Sequence, residues 1–250
     1  MKKVNTVAGQ FLIGNKEDIF NKTKFLIIKA VQKSSGRLVK IGLNGGSTPK
    51  FFFKWAKNEI NQDLLHKCLW MVSDERCVPL NSLDSNFGNA NRLFLEHFDI
   101  PKDNKKAWPV EGISPIKGVN QFNKDWDKKF GEYSGFDICF LGMGDDCHIA
   151  SLFPQCPLIG QEKNNKKFDA IYWPNRGWRF TITENGLKYC NLIVVSILDK
   201  QKAFALYKTI YSKSNFKLRP AQILTKYAHK VLWLISEEVY EEFSSYTKDF

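Results

Sequence analysis

Apolar positions along the chain alternate between helix-like stretches and short continuous runs. Between residues 17 and 33, Ile19, Phe20, Ile27, Ala30 and Val31 recur at the spacing of one helix face, and Ser34-Ser35-Gly36 closes the stretch. Leu38 to Leu43 then reads as a buried strand, and Asn44-Gly45-Gly46-Ser47-Thr48 as a turn. Pro49 stands where the first residue of a helix would be, and Phe52, Phe53, Ala56 and Ile60 supply that helix with its apolar face. The alternation continues. Leu69 to Val72 is a strand, Asn86 to Phe98 a helix, and Phe136 to Leu141 a strand broken by Gly142-Met143-Gly144. A helix is expected to start near His148. Phe180 to Thr183 and Leu192 to Ile197 read as strands, Lys200 to Ile210 as a helix, Val231 to Ile235 as a last strand, and the acidic tail from Glu237 as a last helix.

Repeated strand-then-helix order predicts the α/β class: a doubly wound, mostly parallel sheet with helices on both faces, Rossmann-like in its layering. No internal repeat or low-complexity linker divides the chain, so residues 1–250 are expected to form a single domain. The polar stretch Gln161 to Lys167 reads as a surface loop within it.

Composition narrows the setting. With 43% apolar and 25% charged residues over 250 positions, the chain has the balance of a globular protein with a sizeable core. Its longest apolar runs, Leu192 to Leu198 and Val231 to Ile235, are strand-sized, far from the ~18–20 residues that span a bilayer. Asn5, Thr6, Gly9 and Gln10 break any signal-peptide core, and the six cysteines form no Cys-x-x-Cys pair. A cytoplasmic protein with reduced thiols, and no membrane partner, is expected. The net charge of +11 favours an anionic partner: nucleic acid, a membrane surface or a phosphorylated metabolite. The lysines are dispersed rather than blocked, and no nucleic-acid motif accompanies them, so the expectation is no nucleic acid.

Ligands of such sheets bind beyond the carboxyl ends of the strands, and three segments fall there. Gly45-Gly46-Ser47-Thr48 precedes a helix whose unpaired N–H groups suit an anion, although a tight turn with Ser47 or Thr48 as N-cap explains it equally well. The spacing of a Walker loop is missing. Ser73-Asp74-Glu75-Arg76-Cys77-Val78-Pro79, with Asp84-Ser85-Asn86 after it, offers Arg76 as a bidentate phosphate clamp and Asp74 as an orienting carboxylate. Its plain alternative is a solvated ion pair with Asp84 or Ser85 as a helix cap. Gly142-Met143-Gly144-Asp145-Asp146-Cys147-His148 places an imidazole after two glycines and two carboxylates, where a general base is both exposed and oriented. Cys147 as a nucleophile is disfavoured, because neighbours on a helix point about 100° apart. No second His lies at ligand spacing, so neither a metal nor a cofactor is expected. Arg179, at a strand start, and Lys202, near a helix start, are further candidate cations that read as surface charges when taken singly.

Taken in order, Gly45-Gly46-Ser47-Thr48-Pro49, Asp74-Glu75-Arg76-Cys77-Val78-Pro79 with Asp84-Ser85-Asn86, and Gly142-Met143-Gly144-Asp145-Asp146-Cys147-His148-Ile149-Ala150-Ser151-Leu152-Phe153-Pro154 resemble the 6-phosphogluconolactonase family. The resemblance covers nearly the whole chain. It implies a metal-independent hydrolase of the oxidative pentose phosphate pathway that opens 6-phospho-D-glucono-1,5-lactone to 6-phosphogluconate. It also implies His148 and Asp74 as catalytic residues, with Gly45, Gly46, Ser47, Thr48, Arg76, Arg179 and Lys202 holding the phosphorylated sugar lactone. The expected assembly is a monomer or small homo-oligomer.

Two alternatives stay open: a glucosamine-6-phosphate deaminase/isomerase-type enzyme and a non-catalytic anion-binding relative. The deaminase pattern His-x-Ala-Phe-Asn-Glu-Pro carries a carboxylate where this chain has Phe153. The lactonase pattern itself has Gly where this chain has Cys147. If that position needs positive φ, Cys adds strain of order 1 kcal/mol. Asn44 and Ile149 stand where the family often has Ser and Thr.

Overall fold

The computed structural model describes residues 1–161 and 165–247. A hairpin of β1 (Lys2–Thr6) and β2 (Gly9–Gly14) leads into α1 (Lys16–Gln32), then β3 (Val39–Leu43), α2 (Ser47–Glu59), α3 (Gln62–His66) and β4 (Cys68–Val72). After β5 (Asp74–Arg76) come α4 (Asn86–Leu93), α5 (Pro115–Phe130), β6 (Ile138–Leu141), β7 (Phe168–Trp173) and β8 (Gly177–Ile182). The chain ends with α6 (Glu184–Tyr189), β9 (Leu192–Ile197), α7 (Ala203–Tyr211), β10 (Val231–Ser236) and α8 (Glu237–Ser245).

The large sheet runs β1-β2-β10-β9-β6-β3-β4, parallel throughout except for the β1 edge. Strand alternation sends Phe140 and Ser196 to the face covered by α1 and α2, where they meet Phe20 and Phe52. Phe11 points to the opposite face, where it packs on Phe243 of α8. The doubly wound expectation holds. α1 starts where its chemistry says: Asn15 accepts from the Asp18 N–H at 2.9 Å while Asp18 accepts from the Asn15 N–H at 3.2 Å, a reciprocal cap.

Several expectations need correction. No helix starts near His148. Residues 142–160 make turns and isolated bridges, Met143 with Ile149 and Ile149 with Leu152, because Cys147, Ala150 and Gln155 sit at φ of 65°, 48° and 65°. Left-handed residues cannot continue a right-handed helix. The argument that Cys147 and His148 diverge on a helix therefore falls away, although their side chains do diverge.

Pro49 is the third residue of α2, not the first; any first-turn position suits it, since those N–H groups have no intrahelical partner. The helix from Asn86 is α-helical only to Leu93, and Leu95–His97 is a single 3-10 turn. The hairpin β1–β2, α3, α5, β7 and α6 went unread. β1 carries mostly exposed polar residues, as an edge strand does. The expected loop at Gln161 to Lys167 falls partly on residues 162–164, outside the described residues.

The larger departure is a second sheet, β5-β8-β7, entirely antiparallel. The chain enters it directly from β4 through Ser73, whose N–H donates to the Leu43 carbonyl at 2.6 Å and whose carbonyl accepts from Ile182 at 2.9 Å. Arg76 therefore stands on a strand, not on a strand-end loop. One face of this sheet packs into an aromatic core in which Phe180 stacks on Trp108 at 5.3 Å. The other face is turned toward the loop that carries His148.

Candidate functional site

The large sheet has a topological switch between β3 and β6. From β3 the chain proceeds outward to β4, and from β6 it proceeds the other way to β9. The loops leaving their carboxyl ends diverge, and a crevice opens between them. The Asn44–Gly46 loop and the Gly142–His148 loop are the two walls; a Cβ on Gly142 would stand 3.3 Å from Asn44 Nδ2.

On the first wall Gly46 occupies the N-cap of α2 at φ 105°, and no side chain caps the helix. The Ser47 and Thr48 N–H groups and the positive end of a 13-residue helix therefore face the crevice uncapped. The N-cap role considered for Ser47 or Thr48 goes to Gly46. Gly45 is required by contact: a Cβ there would lie 1.9 Å from Asn86 Oδ1. Asn86 Nδ2 in turn donates to the Asp74 carbonyl at 2.9 Å, which ties this wall to β5.

On β5 the alternation of side chains separates two jobs. Glu75 turns inward and is fully buried; its carboxylate accepts from the N–H groups of Arg76, Asn86 and Phe87 and from Ser85 Oγ, at 2.7–3.1 Å. Burial pushes its pKa up, and the four donors pull against that. It anchors the start of α4. Asp74 and Arg76 turn the other way, opposite Thr181 and Arg179 on β8. Asp74 Oδ2 accepts from Ser151 Oγ at 2.8 Å, and the Ser151 N–H donates to Thr181 Oγ1 at 3.2 Å. The second sheet thus grips the His148 loop three residues beyond the imidazole.

Arg76 and Arg179 are direct cross-strand partners. Like charges so placed repel unless an anion sits between them. Arg76 is steadied by a bond from Nη1 to the Asp84 carbonyl at 2.7 Å, and Arg179 by one from Nε to the Arg176 carbonyl at 3.2 Å. Burial and the nearby Arg76 and Arg176 push the Arg179 guanidinium below its ordinary value, against the pull of Asp74.

His148 is 28% exposed at the crevice edge. Its Nδ1 lies 2.6 Å from Asp146 Oδ1, which also accepts the His148 backbone N–H at 3.0 Å. Burial resists ionisation of Asp146, but the hydrogen bonds and charge of His148 outweigh it and hold that carboxyl at about 2. An ionised acceptor at Nδ1 assigns the proton to Nδ1 and leaves Nε2, unpartnered among the described residues, as the basic nitrogen. Phe153 backs the imidazole with ring centroids 4.4 Å apart. Gly144 makes room for it: a Cβ there would lie 2.1 Å from Nδ1.

The predicted residues are partly united. Gly45, Asp74, Arg76 and Arg179 belong to one connected wall, and His148 stands on the loop that Asp74 holds through Ser151. No hydrogen bond joins Asp74 to the imidazole among the described residues; the carboxylate that does so is Asp146. Lys202 lies in a 3-10 turn after β9, at the same edge of the sheet. Its ammonium makes no bond to the other site residues among those described. Sequence reasoning missed Asp146, which bonds the imidazole, and Ser151, which ties its loop to Asp74. Asp146 was visible as an acid two residues before the His, but only the positive φ at Cys147 folds its carboxylate back onto the ring. Cys147 itself turns away: its Sγ lies 3.4 Å from the Ala205 carbonyl, and burial pushes its thiol up.

Comparison with known proteins bears on the family and the fold. The family model described as glucosamine-6-phosphate isomerases/6-phosphogluconolactonase matches residues 16–233. A 6-phosphogluconolactonase of Nostoc sp. is 27% identical over 217 residues, covering 85% of this chain and 87% of that relative. One of Synechocystis sp. is 25% identical over 238 residues, covering 90% and 96%. The solved 6-phosphogluconolactonase of Trypanosoma brucei superposes with a TM-score of 0.80 at 20% identity, over 96% of this chain and 99% of that one, and shows a shared fold.

Proposed function

The chain belongs to the glucosamine-6-phosphate isomerase/6-phosphogluconolactonase family, and from that premise we propose that it hydrolyses 6-phospho-D-glucono-1,5-lactone to 6-phosphogluconate, a step of the oxidative pentose phosphate pathway. The observation that carries the reading is the carboxylate-oriented imidazole of His148, on a loop held by the same strand pair that sets two arginines directly opposite each other. A base poised at Nε2 and a cationic wall suit a substrate with a reactive carbonyl at one end and a phosphate at the other.

In this reading the uncapped N-terminus of α2, with Gly46, Ser47 and Thr48, receives the phosphate, and Arg76, Arg179 and Lys202 supply positive charge. Gly45 lets Asn86 close against the loop. Anchoring the phosphate fixes the lactone carbonyl against the base. His148 Nε2 takes a proton from water as the water oxygen bonds to C1, and the carbonyl electrons move onto oxygen. The tetrahedral oxyanion then reforms the C=O bond and breaks the bond from C1 to the ring oxygen. The imidazolium returns its proton to that oxygen. Asp146 stabilises the imidazolium between the two transfers. Asp74 acts as a positioning residue, holding the His148 loop through Ser151.

The amino-sugar alternative lacks its carboxylate: where the deaminase pattern has Glu, Phe153 packs its ring on the imidazole. The same proposal keeps the protein in the cytoplasm, with no metal, cofactor, nucleic-acid or membrane partner, as a single domain forming a monomer or small homo-oligomer. Six free cysteines and dispersed lysines support it, and among the described residues no helix is long and apolar enough to cross a membrane.

The test is a coupled assay on freshly generated lactone with wild type and His148→Gln, subtracting spontaneous hydrolysis. Wild type accelerates lactone loss and the variant does not. Acceleration that survives in the variant removes His148 as base; none in folded wild type removes the activity.

A further inference from the structure

We propose that Arg176, at the tip of the β7–β8 hairpin, is a further catalytic cation of the active site that contacts the oxygen on which negative charge develops at the lactone carbonyl. The inference rests on the lactonase reading above and adds to it a residue that none of the sequence motifs contains.

The hairpin is built to present this side chain. Trp173 and Gly177 are the last paired residues of the hairpin, and Arg176 N–H donates to the Trp173 carbonyl at 3.1 Å. Asn175 and Gly177 adopt φ of 63° and 67° on either side of Arg176, and the Arg179 side chain ties down its carbonyl. The turn is thereby locked although its side chains are exposed.

The guanidinium does not point into bulk water. Its central carbon lies 4.5 Å from the centroid of the Phe153 ring, the ring that backs His148 at 4.4 Å. Trp173 meets the Phe153 ring edge-on at 5.3 Å and braces it. Imidazole, phenyl and guanidinium therefore form one contiguous row at the crevice edge, the imidazole tilted 44° to the phenyl ring. A cation held against an aromatic ring spends none of its N–H donors on a carboxylate, and no carboxylate pairs with Arg176 among the described residues.

Its place separates its role from that of the other cations. Lys202 and the α2 N-terminus stand where β9 and β3 end, and Arg76 and Arg179 pair across the second sheet. Arg176 alone lies against the aromatic ring that touches the base. A phosphate held by the former group and a carbonyl carbon attacked from His148 leave the carbonyl oxygen as the anionic atom on the Arg176 side. Fixed donors aimed at a developing oxyanion lower the barrier rather than strengthen substrate binding.

Arg176→Met keeps an unbranched apolar stem on Phe153 and deletes the charge; Arg176→Lys restores a charge without the planar fork. Both are exposed substitutions, and thermal unfolding of each is compared with wild type. The expected result is a fall in kcat of about 10- to 100-fold for Arg176→Met, with KM for the phosphorylated lactone within about twofold, and partial recovery of kcat in Arg176→Lys. Unchanged kcat in Arg176→Met overturns the inference while the wild-type rate still upholds the lactonase reading. A loss confined to KM also overturns it, placing Arg176 at the phosphate instead. Equal loss of kcat in Met and Lys assigns Arg176 to packing and removes the electrostatic role. Absence of lactonase activity in wild type defeats the parent reading and this inference with it.

Discussion

Replacing Gly144 by alanine tests the site geometry more sharply than removing a catalytic group. A Cβ at this position would stand 2.1 Å from His148 Nδ1, 2.2 Å from His148 Cε1 and 2.8 Å from Asp146 Oδ1. To reach ordinary van der Waals contact the imidazole must retreat by more than about 1 Å, and its hydrogen bond to Asp146 cannot survive that shift unchanged. Gly144 is not at positive φ, so alanine brings no backbone strain, and the partly exposed ring can swing toward solvent. Misplacing a catalytic group by about 1 Å costs up to ~100-fold in rate, about 2.7 kcal/mol in the barrier. The expected outcome is a fall in kcat/KM of about that size with Tm within about 3 °C of wild type. Initial rates of lactone loss and a thermal melt on the same preparation measure both. Gly142→Ala is the internal control, since its Cβ would meet only the end of the Asn44 side chain, at 3.3 Å. The reasoning is refuted if Gly144→Ala keeps wild-type kcat/KM, or if Gly142→Ala loses as much.

Asp146→Asn is expected to lower kcat/KM at least tenfold, because a neutral amide no longer fixes the proton on Nδ1; steady-state rates check this. The same carboxyl, held at about 2 against its ordinary 3.8, contributes stability that is present above pH ~4 and lost as pH falls toward ~2. Discounted for its 41% exposure this is about 1 kcal/mol, and urea titrations across that window should show less of a fall in the Asn variant. Glu75→Gln leaves an amide NH2 facing backbone N–H donors and should destabilise by about 2–4 kcal/mol, read as an earlier urea midpoint. Asp137→Ala strands Lys40, whose ammonium lies 3.2 Å from that carboxylate with a side chain only 8% exposed. A loss of about 3–5 kcal/mol is expected by the same titration, and an unchanged midpoint would contradict the pairing.

Much of the scaffold is written locally. The strands Val39–Leu43, Cys68–Val72, Leu192–Ile197 and Val231–Ser236 are near-continuous apolar runs because parallel strands are buried on both faces, and α1 carries its own cap. Those signals lie within a few residues of each other, so the α/β alternation and the three strand-end motifs were legible, and with them the family. The second sheet was not. β5 has three residues and pairs with β8, about a hundred positions away, so no local period announces it.

The site divides along the same line. Residue types at His148, Arg76 and Gly46 were determined by the sequence, as was the possibility of strain at Cys147. Which carboxylate reaches the imidazole was decided by tertiary structure. A left-handed turn brings Asp146 back onto the ring, while Asp74 is drawn to Ser151 by the sheet above it. Arg176 was indistinguishable from any surface charge until the hairpin folded it onto Phe153. Composition and periodicity report what a segment can become; only packing between distant segments sets which charged groups share a crevice.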